Sequence, residues 1–492
     1  MAASQESSRR RLGAVMLALF VLAAAAAAAG GFGRAAYGGR VSADEPFYLL
    51  AALAFSTDGT LDISDELADE DWRGFHDKQL PEQTKPLDGG RRVAPHDPLL
   101  PIVLAPAMWW GTRLGGTGIG ATAAKAELAL FAGALAALLA WTAVRRFGVS
   151  LRTAGIVVGG FMLSAPLAAY GHQVYPEVPL ALCATIAVAA LTGGFELGGA
   201  LTLLGAVVAM PFLAVKSLPV AGVLGLLGVI RLAQRRAWGG AVLLVLVGAT
   251  AGAGYLLLSQ ELYGGWTPYA AGDHFVRGEF SAIGTQVDLL GRSRRLVRLL
   301  VDRGFGIAAW QPAWLLLVPA LAATVRRRPA HWPVLAAPLA AGYLNATFVA
   351  YTMQGWWFPG RQLVIVLPVA VLLIARWADR LGRRAFALTA ALMTLGVWSY
   401  AWLAGQAAGG RLTWIVDFFL TRDPWYRMWS PVLPNYLRVT DSTWVLHAEW
   451  IVVLAALAWA GWRAAGPPRT RLRPLAVRAP AFLESDREGS AT

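Results

Sequence analysis

A single cysteine, Cys183, lies within an apolar run, so the chain can form no internal disulfide, and every Cys-x-x-Cys metal or redox centre is excluded. Charge is scarce as well. Only 15% of the 492 residues are charged and 57% are apolar, where soluble domains carry about 25% charged residues. That balance excludes an ordinary soluble enzyme. It fits a chain that crosses a bilayer many times, because each crossing helix needs about 20 apolar residues. Lysine is rare, four against 39 arginines, which together with the alanine and glycine content suggests a GC-rich bacterial genome. No internal repeat is visible.

Windows of about 19 residues read for hydropathy predict an all-α integral membrane protein with twelve spans. They fall near 12–32, 120–143, 153–170, 178–194, 199–215, 218–231, 239–258, 306–325, 332–351, 362–378, 385–404 and 447–463. Arg9, Arg10 and Arg11 before the first apolar run resemble the start of a signal peptide. The run exceeds the usual h-region of about 7–15 residues, so an uncleaved anchor is expected. The stretch 199–231 is short for two spans, with Lys216 and Pro219 at the expected bend. The apolar stretch 98–112 is read as interfacial, since Pro98, Pro101 and Pro106 would each cost a helix hydrogen bond that lipid cannot replace.

With the N-terminus in the cytoplasm, the inner segments hold 22 cations against 6 acids, and everything else holds 21 against 24. The net charge of +13 is therefore a topology signal, with arginines beside anionic lipid head groups, and it calls for no nucleic-acid partner. The reading divides the chain into a membrane region over 1–404 with a long first outer loop at about 33–119, an outer aromatic segment plus the last span over 405–464, and a basic, disordered cytoplasmic tail over 465–492. Further outer stretches fall at about 171–177, 259–305, 352–361 and 405–447.

Just past the first span stands Ala43-Asp44-Glu45-Pro46, followed by Leu49, Leu50, Leu53 and Phe55 at helical spacing. Two adjacent carboxylates thus open a predicted amphipathic helix at the outer surface. Capping of that helix by Asp44, with Pro46 in its first turn, explains the pair without any chemistry; a catalytic pair is the alternative.

The context favours the alternative. An acidic outer loop opening with Asp-Glu, then Pro95-His96-Asp97-Pro98-Leu99-Leu100-Pro101, then a span ending Arg145-Arg146-Phe147-Gly148, resembles the GT-C class of membrane glycosyltransferases. Within it, the likeness is to protein mannosyltransferases and the aminoarabinose transferase of lipid A. The order of the motifs carries it over roughly the first 240 residues, and Trp356-Trp357-Phe358-Pro359-Gly360-Arg361 extends it. The resemblance implies an inverting transfer from a polyprenyl-phosphate sugar to a glycan, lipid or protein acceptor at the outer face of a bacterial inner membrane. It makes Asp44 the general base, Glu45 its partner and Glu177 the second acid, where such enzymes usually have Asp. Their interfacial Lys-Pro-Pro motif, whose lysine meets the lipid phosphate, corresponds in position to His96-Asp97-Pro98, with Lys85-Pro86 a competing match.

The chemistry wants these residue types. A hydroxyl is a poor nucleophile until a carboxylate takes its proton, and a departing phosphate needs fixed cations. Arg361, at the outer mouth of a span, is one candidate. The cluster Arg292, Arg294, Arg295, Arg298 and Arg303 is another, or else an interfacial helix held by anionic lipid heads. Trp356, Trp357 and Tyr175 could contact sugar, and Trp425, Tyr426, Trp429 and Trp444 also fall outside, although interface belts use the same residues. No cofactor is expected, although Asp44, Glu45 and Glu177 are chemically suited to a divalent cation, and His172 reads as a loop residue. A transporter or lipid flippase is the competing class. It would place charges within spans and show repeated halves, whereas Lys125, Glu127 and Lys216 lie near span ends.

Overall fold

The computed structural model describes residues 2–36, 39–273 and 288–466. Every regular element among these residues is a helix, and extended pairing is limited to four isolated bridges. The tail 467–492 and the segment 274–287 of the third outer stretch lie outside the described residues.

Among the described residues, eight helices are long and apolar enough to cross a bilayer: Glu6–Phe32, Thr117–Phe147, Val215–Gln234, Trp238–Ala271, Trp332–Val349, Arg361–Leu381, Arg383–Ala408 and Asp441–Ala464. Leu151–Met162, Glu177–Leu191 and Leu197–Leu213 are apolar but shorter. The segment expected at 306–325 is broken, with Ile307–Trp310 separated from Leu317–Arg327 by a turn at Gln311 and Pro312. Of the twelve expected spans, eight thus reach spanning length among the described residues, three are shorter helices and one is broken. Sequence explains the shortfall. Pro166 follows the end of the helix at Met162, Gly193 and Gly194 follow the Glu177 helix, and Pro312 cannot continue the ladder of its segment.

The 199–231 region is a hairpin. Leu197–Leu213 and Leu218–Gln234 pack on each other across a short turn at Val215–Ser217, and Pro219 sits where its missing N–H would have no helix partner. The apolar stretch after Pro98 forms one helix, Leu99–Gly115, despite the internal Pro106. It packs against Thr117–Phe147 and against Glu45–Asp58.

Glu45–Asp58 departs from expectation. A surface helix would bury one stripe, yet Glu45 through Ala54 are buried all round. The reason is in the composition: Phe47, Tyr48, Leu49, Leu50, Ala51, Ala52, Leu53 and Ala54 leave no polar face to turn to water. The Asp44-Glu45 pair therefore opens a core helix rather than a superficial one.

Candidate active site

Four separate segments meet at one end of the helix bundle, and each brings one charge. The turn before Glu45–Asp58 brings Asp44, the first residue of Glu177–Leu191 brings Glu177, the hairpin bend brings Lys216, and the start of Arg361–Leu381 brings Arg361. The guanidinium of Arg361 lies between the two acids. Its Nη2 is 2.9 Å from Asp44 Oδ2, and its Nε donates to Glu177 Oε1 at 3.0 Å. The same Glu177 oxygen accepts from Lys216 Nζ at 2.6 Å. Two acids and two cations make a neutral network, with Glu177 sealed inside, Arg361 11% exposed, and the side chains of Asp44 and Lys216 respectively 23% and 26% exposed.

Backbone and rings fix Arg361. Gly360 precedes it with φ of 86°, and a Cβ there would stand 2.7 Å from Ile307 Cγ2, so glycine is required to aim the arginine. The guanidinium stacks 4.0 Å from the Tyr175 ring and 4.9 Å from the Trp357 ring, a cation–π sandwich that holds it flat. Tyr175 is fully buried; it supports Arg361 from below and is not open to a sugar. Trp356 is 64% exposed and its carbonyl accepts from Ser42 Oγ at 3.3 Å. Trp357 buries an indole N–H with no partner.

Asp44 is not a helix cap. It stands at the N-cap position of Glu45–Asp58, but its side chain makes no capping hydrogen bond and turns to Arg361 instead. Ala43 before it has φ of 48°, the left-handed region that a residue with a Cβ enters at a cost. Burial raises the Asp44 pKa, but the charge and hydrogen bond of Arg361 together with the neighbouring positive charges outweigh this, so the carboxylate ionises below its ordinary 3.8. It is a charged acceptor at neutral pH.

Glu45 serves a different purpose from its neighbour. Its Oε2 accepts from Ser42 N at 2.8 Å, and its Oε1 accepts from Val174 N at 2.8 Å with Lys125 Nζ at 3.5 Å. Both oxygens are thus engaged in tying the second outer loop to the first. The adjacent carboxylates diverge, one toward Arg361 and the other into this latch. Among the described residues no group of three or more His, Cys, Asp or Glu side chains is placed to hold a metal ion.

The His96-Asp97 pair lies beside this network. His96 stacks on Tyr48 with ring centroids 4.2 Å apart, and its Nε2 is buried without a partner. Burial draws its pKa down to about 4, so at neutral pH it is an uncharged ring and not the phosphate cation anticipated at this position. Asp97 is a brace. Its Oδ2 accepts from Val215 N at 2.8 Å and its Oδ1 from Tyr255 OH at 2.7 Å, which fixes the bend that carries Lys216. Burial lifts the Asp97 pKa to about 7 despite those two bonds. Immediately beyond, an apolar groove with a volume of about 370 Å³ is lined by Pro98, Leu99, Ile102, Val208, Phe212 and Leu258, among others.

The remaining phosphate candidates lie elsewhere. The Lys85 backbone N–H donates to Ala271 O at 2.8 Å, beside the segment outside the described residues. Arg292 and Arg295 donate to carbonyls of Phe348 and Ala350, both at 2.6 Å, where the Trp332–Val349 helix ends. Burial, with the charges of Arg292 and Arg298, brings Arg295 down to about 10. Arg298 lies 3.8 Å from Asp302 and over the Tyr436 ring, and Arg303 donates to Leu433 and Pro431 carbonyls. This block of arginines therefore staples outer loops together through carbonyl oxygens.

No family model and no curated protein sequence matches the chain. Among solved structures it is similar to ArnT from Cupriavidus metallidurans in the apo state, with 15% identity, a TM-score of 0.48, and coverage of 94% of this chain and 76% of that one. It is likewise similar to ArnT from Cupriavidus metallidurans bound to undecaprenyl phosphate, at 16% identity and a TM-score of 0.45, covering 92% and 73%.

Lys216 is the member of the network that sequence reasoning passed over. Its signal was visible: one of four lysines, set against Pro219 at a hairpin bend. Its partner Glu177 lies 39 positions away, a pairing that the pattern of spans does not specify. The aromatic segment after Gly405 also closes on the site's surroundings. Ile415 N donates to Ala35 O, and Trp414 stacks on the buried His172 at 4.3 Å. His172 in turn fills the space beside Gly30, whose missing Cβ would collide with the ring. It is a packing residue.

Proposed function

We propose that this chain is a GT-C-type membrane glycosyltransferase that moves a sugar from a polyprenyl-phosphate donor to a hydroxyl acceptor with inversion, Asp44 acting as general base. The observation that carries the reading is the diversion of Asp44 from its capping role to Arg361, in a network that also holds Glu177 and Lys216. A capping acid has no use for a buried guanidinium; a base beside a phosphate cation does.

In the state described, Arg361 occupies both acids. A donor phosphate brings its own negative charge to Arg361 and Lys216 and competes with Asp44 for the guanidinium. Asp44 is then released as a base, while Glu177 keeps the two cations in place. The acceptor oxygen loses its proton to Asp44 and bonds to the anomeric carbon. The bond from that carbon to the phosphate oxygen breaks, and the charge left on the polyprenyl phosphate is met by Arg361 and Lys216. The apolar groove beyond Pro98 suits the first isoprene units, since it begins next to Asp97, which braces the Lys216 bend. Exposed Trp356 is placed to offer a ring face to a sugar. The arginine distribution supports the reading that this end of the bundle faces the outer side of a bacterial inner membrane.

The test is turnover by the purified protein on a panel of radiolabelled polyprenyl-phosphate sugars with lipid and glycan acceptors. Release of polyprenyl phosphate with at least one donor is expected. If no donor supports transfer, the reading fails and the transporter class takes its place.

A further inference from the structure

Lys216 reaches the network on a flexible four-carbon stem, so where its ammonium stands depends on how firmly its backbone is held. One side of that backbone is fixed by Asp97, which accepts from Val215 N at 2.8 Å. The other side is held from a separate helix. Asn345 Nδ2 donates to the Lys216 carbonyl at 3.1 Å, across 129 positions of the chain. A tight turn such as Val215–Ser217 pairs a carbonyl with the N–H three residues on, and three residues after Lys216 stands Pro219, which has none. Asn345 supplies an N–H in its stead.

The helix that carries Asn345 changes its winding at that residue. Trp332–Leu344 widens into a single π turn over Asn345–Val349, closed by Ala350 N donating to Asn345 O at 2.9 Å. Single π turns are uncommon in helices and recur at functional sites. Carbonyls at a helix end lack partners within the helix, and here the arginine block takes them up, Arg292 donating to Phe348 O and Arg295 to Ala350 O, both at 2.6 Å. The turn that presents Asn345 is thereby anchored from outside. The amide is otherwise a poor choice for this position. Asn345 Oδ1 is buried with no hydrogen-bond partner, whereas a leucine of similar volume would leave no polar atom stranded. The bond that the amide does make is the one to Lys216.

We infer that Asn345 is a positioning residue for Lys216. It fixes the Lys216 carbonyl on one side as Asp97 fixes the Val215 N–H on the other, and so sets the ammonium where a donor phosphate meets it. The inference rests on the reading of Lys216 as a phosphate cation. Asn345 acts through that lysine and touches no substrate.

Equilibrium binding of farnesyl phosphate and of farnesol to the purified protein in neutral detergent measures what the phosphate adds, as the ratio of the two dissociation constants. No sugar transfer is needed, so the result is separate from turnover. Wild type is compared with Asn345→Ala, Asn345→Leu, Lys216→Met and the double variant Asn345→Ala with Lys216→Met. Wild type should favour the phosphate. Asn345→Ala and Asn345→Leu should each reduce that preference roughly tenfold, the low end for a lost hydrogen bond to a charged group, with farnesol binding unchanged. In the Lys216→Met background, Asn345→Ala should reduce it no further, because the two residues act as one unit. Wild-type preference in both Asn345 variants, an equal loss of farnesol binding, or losses that multiply in the double variant would overturn the inference and leave the phosphate reading of Lys216 standing. Absence of any phosphate preference in wild type would overturn both. Should Asn345→Ala fail to fold, Asn345→Leu, alone and with Lys216→Met, decides in its place.

Discussion

Arg361 and Arg376 lie near the two ends of a single helix, and their surroundings are opposite. Arg361 is enclosed by two carboxylates from distant segments, two aromatic faces and a glycine that aims it. Arg376 is as deeply buried, yet two of its nitrogens have no partner and the nearby acid faces Ser150. At the first end the charges are matched by acids of the protein itself, so an anionic ligand must compete with Asp44 or Glu177 to enter; at the second, two buried guanidinium nitrogens have no such partner. Burial of an arginine therefore says little about its role until its partners are counted.

That contrast is open to substitution. The largest expected effect is Arg361→Ala, which leaves Asp44 unpaired and Glu177 with Lys216 alone. We expect a stability loss of about 3 kcal/mol, the lower end for a broken buried pair because one cation remains, measured by thermal unfolding in detergent. Asp97→Ala should follow at about 1–3 kcal/mol, since it strands the Val215 N–H and the Tyr255 hydroxyl. Asp97→Asn should be milder and should flatten the pH profile. Its folded pKa of about 7 lies above the ordinary 3.8, so its stabilising contribution is complete below 3.8 and is lost as pH rises toward 7. Gly360→Ala should cost about 1–2 kcal/mol from the left-handed backbone alone, with donor binding weakened as Arg361 is misaimed. Smallest is Arg376→Met in delipidated protein, where stability should be unchanged or slightly higher because an unpaired charge is removed. A loss comparable to that of Arg361→Ala would erase the distinction between the two ends.

Much of this was legible in the sequence, and the exceptions have physical causes. Hydropathy located the eight helices of spanning length and the hairpin at 199–231, because lipid demands long apolar runs with their backbone hydrogen bonds made internally. Charge drew attention to Asp44, Glu177 and Arg361, which do meet. What pattern could not supply was direction: Glu45 follows Asp44 in the chain, yet their side chains leave the helix start toward different partners. Burial was misread at Glu45–Asp58, where helical spacing of leucines suggested one apolar face and the intervening alanines made a second. His96 matched a motif position but is neutralised by an environment that only the packed structure creates. Lys216 was passed over because its importance lies in a contact between segments, not in its neighbours in sequence.

The account rests most heavily on Asp44 as base. Asp44→Asn keeps the side-chain shape and can still accept one hydrogen bond from Arg361, while it removes the basic oxygen. Single-turnover transfer from a bound polyprenyl-phosphate sugar, compared with wild type at equal donor occupancy and equal folding, measures that loss directly. The account predicts a rate roughly 100- to 10,000-fold lower; in kcat/KM, which reports the free enzyme, the wild-type acid limb should lie below the ordinary aspartate value because the neighbouring cations depress the Asp44 pKa. Transfer by the Asn variant at the wild-type rate would contradict it.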